Sequence, residues 1–263
     1  MRPVVFFDLD ETLVAQEQAF ERAYNAAARF AAEHAQIDEI EFASSLPTLA
    51  QEVCDRAPFA ELLRRCRFGG RDVLWCDEIG DSVVEREIAR SAASFRADVW
   101  TIALGRHGVT DERIVNEVGA AFSEAMSEAL MLFPEVESAI VRLSKRSRMA
   151  VITNGMTAPQ FSKLRRLGIE QHFERLVASA AVGAGKPSRE IFDHALREMA
   201  VSPSDAVMIG DSLEGDIAGA KRVGIRTIWI NRSGRPLVGP VQPDAELADL
   251  SSLADFMAAG FEG

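Results

Sequence analysis

The chain has 263 residues, enough for one large domain or two unequal ones, and its 48% hydrophobic and 26% charged content is globular rather than disordered. Forty acidic residues against 29 basic ones give a formal net charge of −11, which disfavours non-specific binding to nucleic acid or anionic membranes. No apolar run approaches the roughly 18 residues of a membrane span, and Val4-Val5-Phe6-Phe7 is too short for a signal-peptide core. Three cysteines (Cys54, Cys66, Cys76) with no Cys-x-x-Cys spacing argue against a disulfide or zinc framework, so the expectation is a reduced, cytoplasmic protein with no nucleic-acid or membrane partner.

Val4–Phe7 is a β-branched and aromatic run that ends at carboxylates, the pattern of a buried strand. The same pattern recurs at 149–152, 176–178, 207–209 and 227–230. Amphipathic stretches at 138–146, 158–167 and 189–199 predict helices between these strands, with Gly168 and Gly224 placed as C-caps. Alternating strands and helices predict an α/β fold with a parallel sheet, whose ligands bind beyond the carboxyl ends of the strands. Residues 15–129 differ: helices are predicted at 17–34, 49–66, 84–95 and 112–130, with few strand signals. This stretch holds 21 acidic residues and 12 arginines but no lysine, and it reads as an inserted second domain. A loop at 235–243 precedes a last short strand at 245–247 and a helix after Ser251.

The polar residues that end the strands carry the chemistry. Asp8 and Asp10 follow the first strand, with Thr12 beside them; alternation sends both carboxylates to one side if the strand persists, a turn would aim both at the sheet's edge, and adjacent carboxylates call for a hard divalent ion such as Mg2+. Gly210-Asp211-Ser212 follows a later strand, so Asp211 is placed to complete a metal site, and Asp216 falls in the first turn of a predicted helix. Thr153-Asn154-Gly155 offers a hydroxyl, an amide and a permissive backbone suited to phosphate oxygens. Lys186-Pro187 follows Gly183-Ala184-Gly185 and puts one cation just ahead of a helix.

Taken in order, Asp8-x-Asp10-x-Thr12, Thr153-Asn154, Lys186-Pro187 and Gly210-Asp211-Ser212-x-x-x-Asp216 resemble the four motifs of haloacid dehalogenase superfamily hydrolases, and the resemblance spans the whole chain. It implies a Rossmann-like core of residues 1–14 and 130–263, with an α-helical cap of residues 15–129 inserted between the first and second motifs. It further implies Asp8 as nucleophile and Asp10 as general acid and base. Asp8, Asp211 and the main-chain carbonyl of Asp10 would be the Mg2+ ligands, Thr153, Asn154 and Lys186 would bind phosphate, and Thr12, Gly155 and Asp216 would support them. The implied activity is Mg2+-dependent hydrolysis of a small phosphomonoester (a sugar phosphate, nucleotide or similar metabolite) through an aspartyl-phosphate.

Within that resemblance, the dehalogenases lack a second carboxylate, so Asp10 argues against halide chemistry. The phosphonatases use a cap lysine, which is missing here. Sugar phosphomutases of the β-phosphoglucomutase type usually carry Val where this chain has Thr12. They remain the alternative, beside a non-catalytic phosphate-binding relic. In the inserted region Arg64–Arg71, with its Gly69-Gly70 pair and Trp75 close behind, is expected either to close over the site and present an arginine to the substrate, or to be a turn that packs Phe68 and Trp75 into a core.

Overall fold

The computed structural model describes residues 2–75 and 79–260, so Cys76 lies outside the described residues. The chain divides into two compact units, Met1–Ala15 with Leu132–Gly263, and Gln16–Met131. Strand β1 (Val4–Phe7) is buried at every position and opens the first unit. After it the chain turns tightly: the N–H groups of Leu13 and Val14 both donate to Leu9 O, and Glu11 adopts φ +65°. Val14 bridges Leu132 in antiparallel fashion, so the stretches that leave and re-enter this unit lie side by side.

The second unit is helical: α1 (Gln16–Ala35), α2 (Glu39–Cys54), α3 (Ala60–Cys66), α4 (Gly70–Leu74), α5 (Val83–Gly105) and α6 (Glu112–Ala129). Ala19, Ala23, Ala27 and Ala31 recur every fourth residue on α1 and are buried, a small-residue ridge that admits Val118, Phe122 and Met126 of α6. The helix predicted at 49–66 is instead two, and the first starts ten residues earlier. Asp38 caps it by accepting from the Glu41 N–H at 2.8 Å, and burial of Phe42, Leu46, Leu49 and Ala50 outweighs the N–H that Pro47 removes. Helix α5 runs to Gly105 rather than ending at Phe95. It is nucleated by a reciprocal Ser82–Glu85 capping box, and its apolar face continues through Val99, Trp100, Ala103 and Leu104.

The first unit continues with α7 (Val136–Ser144), β2 (Arg148–Thr153), α8 (Thr157–Arg166), β3 (Arg175–Ala178), α9 (Ser179–Val182), α10 (Arg189–Glu198), β4 (Ala206–Gly210), α11 (Gly219–Arg222), β5 (Arg226–Ile230), β6 (Ala245–Leu247) and α12 (Leu253–Ala258). All six strands are parallel, in the order β3-β2-β1-β4-β5-β6, which is the Rossmann-like α/β arrangement expected. Gly168 and Gly224 end their helices at φ +71° and +84°. Phe6, Ile152, Met208, Ile191, Phe192 and Ala220 form part of the core between the sheet and α10 and α11. Phe7 stands opposite Val151 on β2 and Ile209 on β4, so the carboxyl ends of these three strands are level. The chain moves outward from β1 through β2 and β3, then returns to β4 on the other side, and β1/β4 is therefore the switch point where such sheets bind ligands. Among the described residues no helix is long and apolar enough to cross a membrane.

Candidate active site

Asp8 emerges directly from β1, its N–H still bonded to Ile209 O on β4 at 2.9 Å. One carboxylate oxygen pairs with the Lys186 ammonium and the other accepts from the Thr12 hydroxyl at 3.0 Å. Thr12 Oγ1 also accepts from the Asp211 N–H at 3.1 Å, so one fully buried hydroxyl ties together the tips of β1 and β4. Arg232, after β5, steadies the same turn: its guanidinium donates to Thr12 O at 2.8 Å, pairs with Glu135 at 2.7 Å and lies 3.6 Å from the centre of the Phe133 ring. On the far side of Asp211, its main-chain carbonyl accepts from the indole N–H of Trp229 at 2.8 Å.

Asp216 does not sit in the first turn of an ordinary helix. Residues Leu213–Ala218 form a wide π-type turn that carries its carboxylate back over Gly210, where it accepts from the Ser212 N–H at 3.0 Å and pairs with Lys186 at 2.7 Å. A Cβ on residue 210 would occupy the space of that carboxylate, which is why this strand ends in glycine. Carboxylate oxygens of Asp8, Asp211 and Asp216 thus come within 4.8 Å of one another.

Two of these carboxyls, Asp8 and Asp211, are shifted upward. Burial pushes the Asp8 carboxyl well above the usual range against the pull of Lys186, and Asp216 and Asp211 push it further. Burial and the neighbouring Asp216 raise Asp211 to about 7. Burial works to lower the Lys186 ammonium, but Asp216 and Asp8 hold it above its ordinary value. Because the Asp211 pKa is higher folded than unfolded, this group opposes folding progressively as pH rises from 3.8 to about 7. In chelator-treated buffer the melting temperature of the wild type should therefore fall relative to Asp211→Asn across that window, by differential scanning fluorimetry. A constant offset between the two would mean the Asp211 pKa is not raised.

The strand ends at Phe7, so the turn rather than strand alternation sets the Asp10 carboxylate. Its oxygens go to α8, Oδ1 to Lys163 Nζ at 2.7 Å and Oδ2 to Gln160 Nε2 at 2.8 Å. Of the expected metal ligands, the side chains of Asp8 and Asp211 converge and are joined by Asp216, while the ligand expected of Asp10 is its main-chain carbonyl.

At the β2 tip, Thr153 Oγ1 accepts from Gln160 Nε2 at 2.5 Å, leaving its own O–H to donate elsewhere. The Asn154 side chain also holds the lysine loop: its Oδ1 accepts from the Lys186 N–H at 2.8 Å and one Nδ2 hydrogen donates to Lys186 O at 3.2 Å. Gly155 N–H donates to Ser179 Oγ at 2.9 Å. Lys186, 4% exposed, also donates to Ile152 O at 2.9 Å.

Sequence reasoning missed Gln160, Lys163 and Arg232. A signal existed for the first two: they share the inward face of α8 with Pro159 and Leu164, and buried polar groups require partners. In the helical unit the Arg64–Arg71 stretch joins the end of α3 to the start of α4. Gly69 opens helix α4, and Gly70 is buried so close to Cys54 that a Cβ would lie 2.6 Å from the cysteine Cβ. Arg71 forks onto Glu17 at 2.9 and 2.5 Å and lies 4.6 Å from the centre of the Phe20 ring, while Phe68 and Trp75 are half-buried. Cys54 and Cys66 are buried, and burial first, then Asp55, raises Cys54 to about 11, the behaviour of packing residues rather than reactive thiols.

Chains similar in sequence and fold are known. The phosphoserine phosphatase of Thermus thermophilus is 32% identical over 188 residues, 67% of this chain and 75% of that enzyme. The pyrimidine 5'-nucleotidase YjjG of Escherichia coli is 34% identical over 158 residues, 58% and 70% of the two chains. Among solved structures, a 2-haloacid dehalogenase from Pseudomonas syringae pv. tomato superposes with a TM-score of 0.66 at 28% identity, covering 98% of this chain and 99% of that one. Residues 3–224 match the haloacid dehalogenase-like hydrolase family, and the chain, a hydrolase, belongs to it.

Proposed function

We propose that this hydrolase is a Mg2+-dependent phosphatase acting on a small phosphomonoester. The observation that carries the reading is the division of labour between two aspartates two residues apart: Asp8 is paired with Lys186 inside a carboxylate cluster, and Asp10 is anchored separately by Gln160 and Lys163. In this reading Asp8 attacks phosphorus, and the ester oxygen leaves with a proton from Asp10. The aspartyl-phosphate so formed is hydrolysed by a water that Asp10 deprotonates. Lys186 offsets charge on Asp8 and on the phosphoryl group, and the Thr153 hydroxyl has a proton free to donate to a phosphoryl oxygen. Gln16–Met131 is assigned as the cap that selects the ester.

A divalent cation suits this donor set. Asp8, Asp10, Asp211 and Asp216 set four carboxylates against the two ammonium groups of Lys163 and Lys186, an excess of two negative charges that a divalent cation would offset. Asp8, Asp211 and the main-chain carbonyl of Asp10, supported by Asp216, would hold Mg2+, which when bound neutralises charge between nucleophile and phosphoryl oxygens. Exhaustive chelation should abolish phosphate release and Mg2+ should restore it, whereas Ca2+ should inhibit; full activity in chelator would overturn the metal assignment.

Phosphate release from a phosphometabolite panel with Mg2+ tests the reaction class. Phosphoserine and the pyrimidine nucleoside monophosphates come first, because the relatives carry those substrates in their names. The likeness to a 2-haloacid dehalogenase supports a second reading, against which Asp10 stands, since departure of a halide needs no proton. Halide release from a 2-haloacid without phosphatase activity would favour that second reading.

A further inference from the structure

Helix α8 turns four residues inward, Pro159, Gln160, Lys163 and Leu164, and two of them are polar. Lys163 is 2% exposed, so its ammonium is taken from water almost completely. A buried ion pair commonly contributes no more stability than apolar residues of the same volume. Stability alone is thus a poor account of why an ammonium occupies this position.

Geometry supplies a better one. Lys163 Nζ and Gln160 Nε2 each take one oxygen of the same carboxylate, that of Asp10, at 2.7 and 2.8 Å. Gln160 is in turn fixed to Thr153 Oγ1 at the tip of β2, so the Asp10 carboxylate is referenced to the strand beside β1. The other buried lysine of this end of the sheet, Lys186, is committed to Asp8 and Asp216. Each lysine serves one aspartate of the Asp8/Asp10 pair.

We propose that Lys163, assisted by Gln160, is a positioning residue that holds the Asp10 carboxylate in one orientation for its proton transfers. The inference rests on the phosphatase reading above, in which Asp10 is the proton donor and acceptor. In this role Lys163 acts through Asp10, to which its ammonium is bonded. Displacing a reacting group by about an ångström costs on the order of 10²-fold in rate, and that is the loss expected.

The test compares two leaving groups in the wild type and in Lys163→Met, Asp10→Asn and the double variant. An alkyl phosphate needs its leaving oxygen protonated, whereas p-nitrophenol does not. Lys163→Met should lower kcat/KM for the alkyl ester by about 10²-fold while slowing the first release of p-nitrophenol by less than about tenfold. In the Asp10→Asn background it should cost nothing further on the alkyl ester, since the group it positions is already disabled. Lys163→Gln, which keeps a donor in the site, should recover part of the loss, and it carries the same comparison if the methionine variant does not fold.

Equal losses on both esters, or a further loss in the Asp10→Asn background, would make Lys163 a structural residue and overturn the proposal. A wild-type protein that releases phosphate from no monoester overturns the phosphatase reading itself, an outcome visible before any variant is made.

Discussion

Asp8→Asn should abolish turnover of every phosphomonoester and leave a folded protein. The amide cannot act as the nucleophile, so no covalent intermediate forms and no leaving group, however acidic, can compensate. Its shape matches the carboxylate, its oxygen can still accept from Lys186, and its NH2 group can donate to Thr12 Oγ1, whose own hydroxyl turns to Asp211. Removing a carboxyl that burial and two neighbouring aspartates already hold above its usual pKa should cost little stability. The measurement is steady-state phosphate release combined with intact mass after acid quench, where wild type shows a phosphorylated species and the variant none. Residual turnover with an unchanged substrate profile would mean that Asp8 does not attack phosphorus.

Asp10→Asn should separate the two halves of the reaction. Proton transfer by a positioned side chain is worth about 10²–10⁴-fold, and alkyl phosphates should lose that factor at the first step. With p-nitrophenyl phosphate the leaving group departs unaided, so Asp8 should still be phosphorylated. Hydrolysis of the aspartyl-phosphate then lacks its base and becomes limiting. The variant should release p-nitrophenol in a burst approaching one equivalent, followed by slow turnover, with phosphate trapped on Asp8. Equal losses on both substrates, with no burst and no trapped adduct, would remove Asp10 from the acid and base role.

The strands were legible because a parallel sheet buried on both faces writes each one as a short apolar run, and the level register of β1, β2 and β4 puts whatever follows them at one edge. Thr12, Asp211 and Lys186 could thus be read as neighbours without any geometry. Helix ends were less legible, since Pro47 reads as a breaker and its cost is outweighed by burial on the opposite side of α2. What stayed hidden were contacts that no local pattern encodes. The Asn154 side chain serves the lysine loop 32 residues away, Asp10 finds its donors at separations of 150 and 153 residues, and Asp216 depends on a wide turn that opens like any helix. A pair of carboxylates separated by one residue reads as one site in sequence; here two different environments divide them.

The bond from the Trp229 indole to the Asp211 main-chain carbonyl makes the protein its own optical reporter. Indole emission shifts with the field along the ring and with the strength of the N–H hydrogen bond, and Trp229 is fully buried with its N–H aimed at the tip of β4. The remaining two tryptophans, Trp75 and Trp100, belong to the helical unit. Replacing both with phenylalanine would leave a single emitter at the edge of the sheet, with which ion and phosphate binding can be followed by equilibrium fluorescence, without turnover and without a label.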